Sequence, residues 1–420
     1  MISNGFKTVP QPNGNSHGGQ GTMADIKITK YTVHDLRFPT SLDVSGSDAM
    51  NLAPDYSAAY IILQTSTTLT GQGFAFTIGR GNNLVCEGAR MIADRLVGKT
   101  LAELTADMGK TWRYLVDDSQ LRWVGPEKGV IHMGLSACVN ALWDMWARYV
   151  NKPVWKLVTD MTPAEFVRCV DFRYIQDAIT PKEALELLEG LEGTKAKRLA
   201  EAKANIAVPA YSTQAGWLSY SDEKMETLMR GMLDEGFEKF KLKVGGDVED
   251  DRRRCKIARD IIGPHKSLML DANQVWGVTE AIDWMVQLAE FKPDFIEEPT
   301  SPDDILGHAA IRKALKPRFG VPIVPHSGGI GLNEYTQHLA IINYLCVSGD
   351  KSLLEHISTF REVITEPLEV RNGHFVTPWE AGYSVKFKDE AISKYEFPNG
   401  DFWKSKSGLE IREYPENLVI

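Results

Sequence analysis

Cysteine is scarce in this chain. The five it has, Cys86, Cys138, Cys169, Cys255 and Cys346, are scattered, and none forms a Cys-x-x-Cys pair. A disulfide framework and a structural zinc site are therefore not expected, and a reducing compartment is favoured. Long apolar runs are missing too, which argues against a membrane span. Basic charge is not in excess: 47 Lys and Arg stand against 56 Asp and Glu, for a formal net charge of −9. Because that charge is spread rather than blocked, nucleic acid is disfavoured as a partner. No motif points to a nucleotide, haem or thiol cofactor. The first 23 residues are rich in Gly, Asn, Gln and Pro, carry a single Lys and no Arg, and lack an apolar core. They read as a disordered tail, not as a secretory signal or a mitochondrial presequence, and the cytoplasm is the expected location.

What is present falls into two rhythms. Strand patterns at Asp25–Leu36, Tyr56–Thr65 and Gly73–Ile78 precede helical patterns at Cys86–Leu96, Leu101–Leu115 and Val130–Tyr149. Strands followed by helices in blocks predict a small α+β domain over residues 24–155. Beyond it, short apolar strands beginning near Pro209, Lys239, Ser267, Asp294, Val321 and Tyr344 alternate with amphipathic helices. Helices are expected over Glu223–Asp234, Asp250–Ile262, Val278–Leu288, Asp303–Leu315 and Asn333–Ile342. Repeated βα units predict a parallel sheet. Their even spacing, with no Gly-rich dinucleotide turn after the first strand, suits a (β/α) barrel over residues 156–376 better than a doubly wound sheet. Leu185–Ala204 reads as a helical insertion, and residues 377–420 as a C-terminal segment returning to the first domain. Only about six strands can be counted where such a barrel has about eight.

Four consecutive strands end in residues that can carry chemistry. Phe-Lys-Leu-Lys-Val-Gly places Lys241 and Lys243 on one side of a strand, either inside a barrel or on a solvated edge. Burial there can lower a lysine toward the range of a general base. Asp271, with Asn273 two residues on, is either a metal ligand or the cap of the next helix. Glu297 and Glu298 close the following strand before Pro299, and adjacent carboxylates repel unless a cation lies between them. His326 precedes a Gly-Gly turn, where a lone histidine is commonly only structural. Gathered at the mouth of a barrel, the four form one constellation. A hard divalent cation on Asp271 and Glu297 would bind a substrate carboxylate. Lys243 would abstract the neighbouring proton, and His326 would protonate a departing β-hydroxyl or act as a base on the other face.

These motifs resemble the enolase superfamily, mandelate racemase branch. The Lys-x-Lys, Asp-x-Asn, Ile-Glu-Glu-Pro and Pro-His-x-Gly-Gly units fall in the family's order. Within the branch, strings beginning at Arg37, Asp48, Asp55, Gln120, Asp171, Glu297 and Ala381 are most similar to acid-sugar dehydratases. The resemblance implies an enolase-type TIM-like barrel with an N-terminal α+β capping domain. It also implies Mg²⁺-dependent loss of water from L-galactonate or a similar sugar acid, giving a 2-keto-3-deoxy acid. Lys243 and His326 match the catalytic pair, and Asp271 and Glu297 two of three metal ligands. Lys241, Asn273, Arg37 and Glu355 match substrate-binding positions, and the loop from Pro39 to Asp55 the one that closes over substrate. A homo-oligomer is compatible with this reading.

One departure accompanies the likeness. Lys316-Pro-Arg-Phe-Gly-Val-Pro runs directly from one helix into the His326 strand. Two βα units, on the order of 50–60 residues, have no counterpart here. The third metal carboxylate and the aspartate that orients the histidine would lie in them. The expected consequences are an incomplete barrel, weaker Mg²⁺ binding and a histidine without its partner. The alternative to a working dehydratase is thus a catalytically impaired relative, with a binding or regulatory role at most.

Overall fold

The computed structural model describes residues 22–124, 129–315 and 326–413. β1 (Ile28–Arg37), partly exposed, and the mostly buried β2 (Ser57–Thr65) and β3 (Thr70–Thr77) form an antiparallel sheet in that order. The expected third strand begins three residues earlier than its apolar residues suggested, because its first positions are glycines and polar residues. Two of those glycines are required. A Cβ on Gly71 would lie 2.2 Å from the Ala141 carbonyl oxygen, and one on Gly73 2.2 Å from that of Ala137. The helix Val130–Tyr149 therefore rests directly on the backbone of β3 and buries Leu135, Leu142 and Met145 beneath it. Gly73→Ala should destabilise the protein by about 1–3 kcal/mol, read from the urea midpoint, because backbone has to move to admit the methyl.

The helix expected over Leu101–Leu115 is two, Leu101–Thr105 and Met108–Val116. Asp107 breaks the run by taking an extended conformation and accepting from the Lys110 amide as a new N-cap. The expected insertion forms the long helix Pro181–Lys203, started by Thr180 and Glu183 in a reciprocal cap.

The second sheet is parallel, with strands β4 (Ala210–Ser212), β5 (Lys239–Lys243), β6 (Ser267–Asp271), β7 (Ile296–Glu297) and β8 (Leu354–His356). Their spatial order is β7-β6-β5-β4-β8. Helices Asp222–Asp234, Val248–Ile262 and Val278–Leu288 return the chain between successive strands, as expected. First and last strands are neighbours, which is how a barrel sheet curls back on itself. Among the described residues, however, the sheet stays open between β7 and β8. An eight-stranded closure needs three strands in that gap. The expected Val321 strand lies outside the described residues.

The strand expected near Tyr344 is instead a buried helical turn, Asn343–Val347, and the strand is Leu354–His356. Short apolar runs such as Tyr344-Leu-Cys-Val do not by themselves separate strand from buried helix. Here Ile341 and Ile342 carry the helical path into them.

The C-terminal segment returns to the first sheet. The Phe397 amide donates to the Asp35 carbonyl, and the Trp403 indole donates to the Arg37 carbonyl. No helix among the described residues is long and apolar enough to cross a membrane.

A buried histidine makes this core sensitive to acid. His338 accepts at Nδ1 from the Trp155 amide and lies 3.2 Å through Nε2 from the Ser384 hydroxyl. Burial drives its pKa down from 6.5 to about 3. A depressed histidine gives stability that is complete above its unfolded pKa and is lost as pH falls toward the folded one. Between pH 7 and pH 5 this group should cost about 2 kcal/mol of stability. Urea midpoints at the two values should show the drop, and His338→Gln should reduce it.

Candidate active site

Register places the chemistry. In the parallel ladder Lys243 pairs with Asp271, and Asp271 with Glu297. The three side chains therefore stand in one row across β5, β6 and β7, about one strand spacing apart. Lys241, two residues below Lys243, projects to the same face. Neither lysine is on a solvated edge: Lys241 is 1% exposed and Lys243 8%.

Lys241 Nζ lies 2.8 Å from Glu297 Oε2, 3.3 Å from Asp271 Oδ2 and 3.6 Å from Glu355 Oε1. Lys243 Nζ donates to Asp271 Oδ2 at 2.6 Å. Three carboxylates thus share two ammonium groups. Burial would discharge Lys241, but Glu355, Tyr211, Glu297 and Asp271 together hold its pKa well above the ordinary value. Lys241 is a fixed cation, so the expectation that burial tunes a lysine toward base strength fails for it. Asp271 is also pushed up by burial, yet Lys243 and Lys241 prevail and leave it below the usual carboxylate range. Glu297, with Lys241 on one side and two carboxylates nearby, is raised, chiefly by burial.

Asp271 is not a helix cap. Its Oδ1 accepts from the Asn273 amide, and the next helix starts after Gly277. Glu298 turns away from the row: its φ of 44° redirects the chain, and its side chain meets Gln274. Only one carboxylate of the Glu297-Glu298 pair therefore belongs to the site.

Glu355 enters from β8. Its Oε1 accepts from the Thr213 hydroxyl, while Oε2 is buried without a partner. Burial raises its pKa, but Lys241, His326 and Lys243 outweigh that and lower it. Gly328 makes room, since a Cβ there would come within 2.7 Å of Glu355 Oε2.

Lys243, Asn273, His326 and Glu355 line one cavity of about 170 Å³. His326 is exposed at its rim. Asn273, at φ 47°, has a buried Oδ1 without a partner beside it. Arg37 is not brought in. Its guanidinium is held by Asp35 at 2.7 Å and lies 3.8 Å over the Phe397 ring.

Asp48, Asn51, Tyr56 and Trp217 line the same cavity; Asp48 and Asn51 lie in the Pro39–Asp55 loop, and no local pattern marks any of the four as a site residue. Asp48 and Tyr56 do stand in the strings that carried the family likeness, which was the available signal. The loop bearing Asp48 docks on the barrel side, with the amides of Leu218 and Ser219 donating to Ser47. Burial raises the Asp48 pKa.

Two carboxylates in one row, next to a cavity that Lys243 lines, suit a hard divalent cation that keeps part of its water shell. Such a cation would offset the burial that chiefly raises Glu297 and the repulsion from Asp271 and Glu355 that adds to it. Among the described residues, no three acidic, His or Cys side chains are placed to hold one metal ion together.

Comparison with known proteins agrees with the fold. Residues 224–318 match the family described as enolase C-terminal domain-like. The chain is 53% identical to L-galactonate dehydratase of Hypocrea jecorina, over 93% of this chain and 99% of that protein. That alignment spans 444 positions, more than the 420 residues of this chain, so the relative carries residues with no counterpart here. The crystal structure of human mitochondrial enolase superfamily member 1 superposes with a TM-score of 0.88 at 40% identity, covering 91% of this chain and 99% of that one. L-talarate/galactarate dehydratase from Salmonella typhimurium LT2, solved with Mg and L-lyxarohydroxamate, shares the fold at 20% identity. Its TM-score is 0.63, with 91% of this chain and 96% of that chain covered.

Proposed function

Because the chain belongs to the enolase superfamily, we propose that it is a sugar-acid dehydratase acting on L-galactonate or a close stereoisomer. The observation that carries this reading is the row Lys243–Asp271–Glu297, whose Lys243 lines one cavity together with His326 and Glu355. Lys243 Nζ, as the neutral amine after releasing its ammonium proton to solvent, takes the proton from the carbon beside the substrate carboxylate. Lys241, fixed as a cation below, steadies the charge that develops. His326 gives a proton to the β-hydroxyl as its C–O bond breaks, so hydroxyl and proton leave as water. The resulting enol tautomerises to the 2-keto-3-deoxy acid. Asp271 and Glu297 would hold Mg²⁺, whose charge would stabilise the carboxylate as it becomes an ene-diolate. Asn273 and Glu355 offer unpartnered acceptors to substrate hydroxyls, and the loop around Asp48 screens the site from water. The cytoplasm is the proposed compartment, in keeping with five free cysteines.

A second reading, an impaired relative that binds but does not turn over, is favoured by one observation: both metal carboxylates are already occupied by lysines. Magnesium separates the two in part. In the dehydratase reading, millimolar Mg²⁺ should raise the melting temperature, by about 3 kcal/mol of stability at a hundredfold excess over Kd, and Asp271→Asn should abolish the rise. The function itself is tested by incubating the protein with L-galactonate and Mg²⁺ and following the 2-keto-3-deoxy acid. Failure to form it from a folded, magnesium-binding protein would favour the second reading.

A further inference from the structure

A second cavity, of about 360 Å³, lies between the helix Asp222–Asp234 and the segment that follows β8. None of its lining residues lines the cavity containing Lys243. The two are nevertheless adjacent in sequence. Glu355 and His356 are successive residues of β8, so their side chains leave the strand on opposite sides. Glu355 serves the first cavity and His356 lines the second.

The second cavity is lined by hydrogen-bonding groups that nothing else engages. His356 is 93% buried by its 7% exposure, with its ring stacked on Phe237 at 5.6 Å. Its Nδ1 is buried without a partner, and neither ring nitrogen hydrogen-bonds to any described residue. Gln214 spends its Oε1 on the amide and hydroxyl of Ser358, which turns its NH₂ away from them. That NH₂ donates to no described residue. Arg361, exposed at the rim like Glu235, makes no ion pair or side-chain hydrogen bond among the described residues. Leu228 and Met232 supply an apolar wall.

Donors of this kind around one opening match one chemical class. A guanidinium recognises a planar carboxylate through two parallel hydrogen bonds, an amide NH₂ adds a third, and an imidazole N–H a fourth. The apolar wall accommodates a short carbon skeleton. We propose that this cavity is a second binding site, taking a small organic carboxylate with its carboxyl group on Arg361 and Gln214 and its next oxygen on His356. Glu235, the acidic residue lining the cavity, is exposed at the rim, where its charge is screened by water.

The probe is pyruvate, with pyruvamide as its neutral counterpart, titrated by ligand-observed NMR against the full chain. Three proteins are compared: the unaltered chain, Arg361→Gln and Lys243→Ala. Circular dichroism and the melting temperature confirm that each is folded. His356→Asn provides a second lesion, from the buried side of the same cavity. The site predicts saturable pyruvate binding in the unaltered chain and in Lys243→Ala. Arg361→Gln should weaken it at least tenfold and His356→Asn severalfold, and pyruvamide should bind at least tenfold more weakly. Binding lost in Lys243→Ala but kept in Arg361→Gln would assign the ligand to the first cavity and overturn the proposal. Absence of saturable binding in the unaltered chain would overturn it as well.

Discussion

Lys241→Met is expected to cost the folded protein about 3–5 kcal/mol, the usual result of removing one partner from a buried ionic cluster. The substitution keeps the unbranched side chain to within one atom of its length and removes the charge. Asp271, Glu297 and Glu355 all lie within 3.6 Å of the Lys241 ammonium, which is fully buried. Without it, three neighbouring carboxylates would share Lys243 alone, and burial already works to raise each of them. The cluster has two ways to respond: take up protons or take up a cation. Stability of the variant should therefore recover toward acid relative to the unaltered chain, and magnesium should restore more of it than in the unaltered chain. Urea denaturation at pH 6 and pH 8, with and without Mg²⁺, measures both. A loss under 1 kcal/mol would mean that the carboxylates are solvated and the cluster is not a buried one.

Lys243→Ala should separate activity from stability. Proton transfer by a positioned side chain is worth about 10²–10⁴ in rate, and turnover should fall by at least that much. The effect on folding should be smaller than for Lys241, since Asp271 keeps a second ammonium at 3.3 Å. A variant that loses stability and activity in proportion would argue that Lys243 only holds Asp271 in place. Steady-state rates with L-galactonate, set beside urea midpoints of the same preparations, decide between the two.

Much of this site could be read before any coordinates, because period-two alternation and strand ends are local properties. Phe-Lys-Leu-Lys told both that a strand lay there and that its two lysines shared a face. The ladder then brought Lys243, Asp271 and Glu297 into one row. Other features depend on contacts that sequence does not display. Glu298 looked like the partner of Glu297, yet a positive φ sends it elsewhere. Arg37 carried a family string but is satisfied by Asp35 and Phe397. Tyr344 read as a strand because its apolar run is too short to show a helical period, and packing decided the matter. Asp48 and Tyr56 reach the cavity only through the docking of a loop, which no periodicity announces. The direction of the Lys241 shift is also hidden from sequence: burial alone predicts a weaker cation, and Glu355, Tyr211, Glu297 and Asp271 together reverse it. Among the described residues, the open edge between β7 and β8 agrees with the low strand count of the sequence.

The central claim is that Lys243 removes a proton and water follows, and it is tested most directly in heavy water. The protein is incubated with L-galactonate and Mg²⁺ in D₂O, and the product is examined by NMR and mass spectrometry. The account predicts a 2-keto-3-deoxy acid carrying one solvent deuterium at C3, formed by the unaltered chain and not detectably by Lys243→Ala. A folded, magnesium-binding protein that returns L-galactonate unchanged would contradict it. So would equal product from the Lys243→Ala variant.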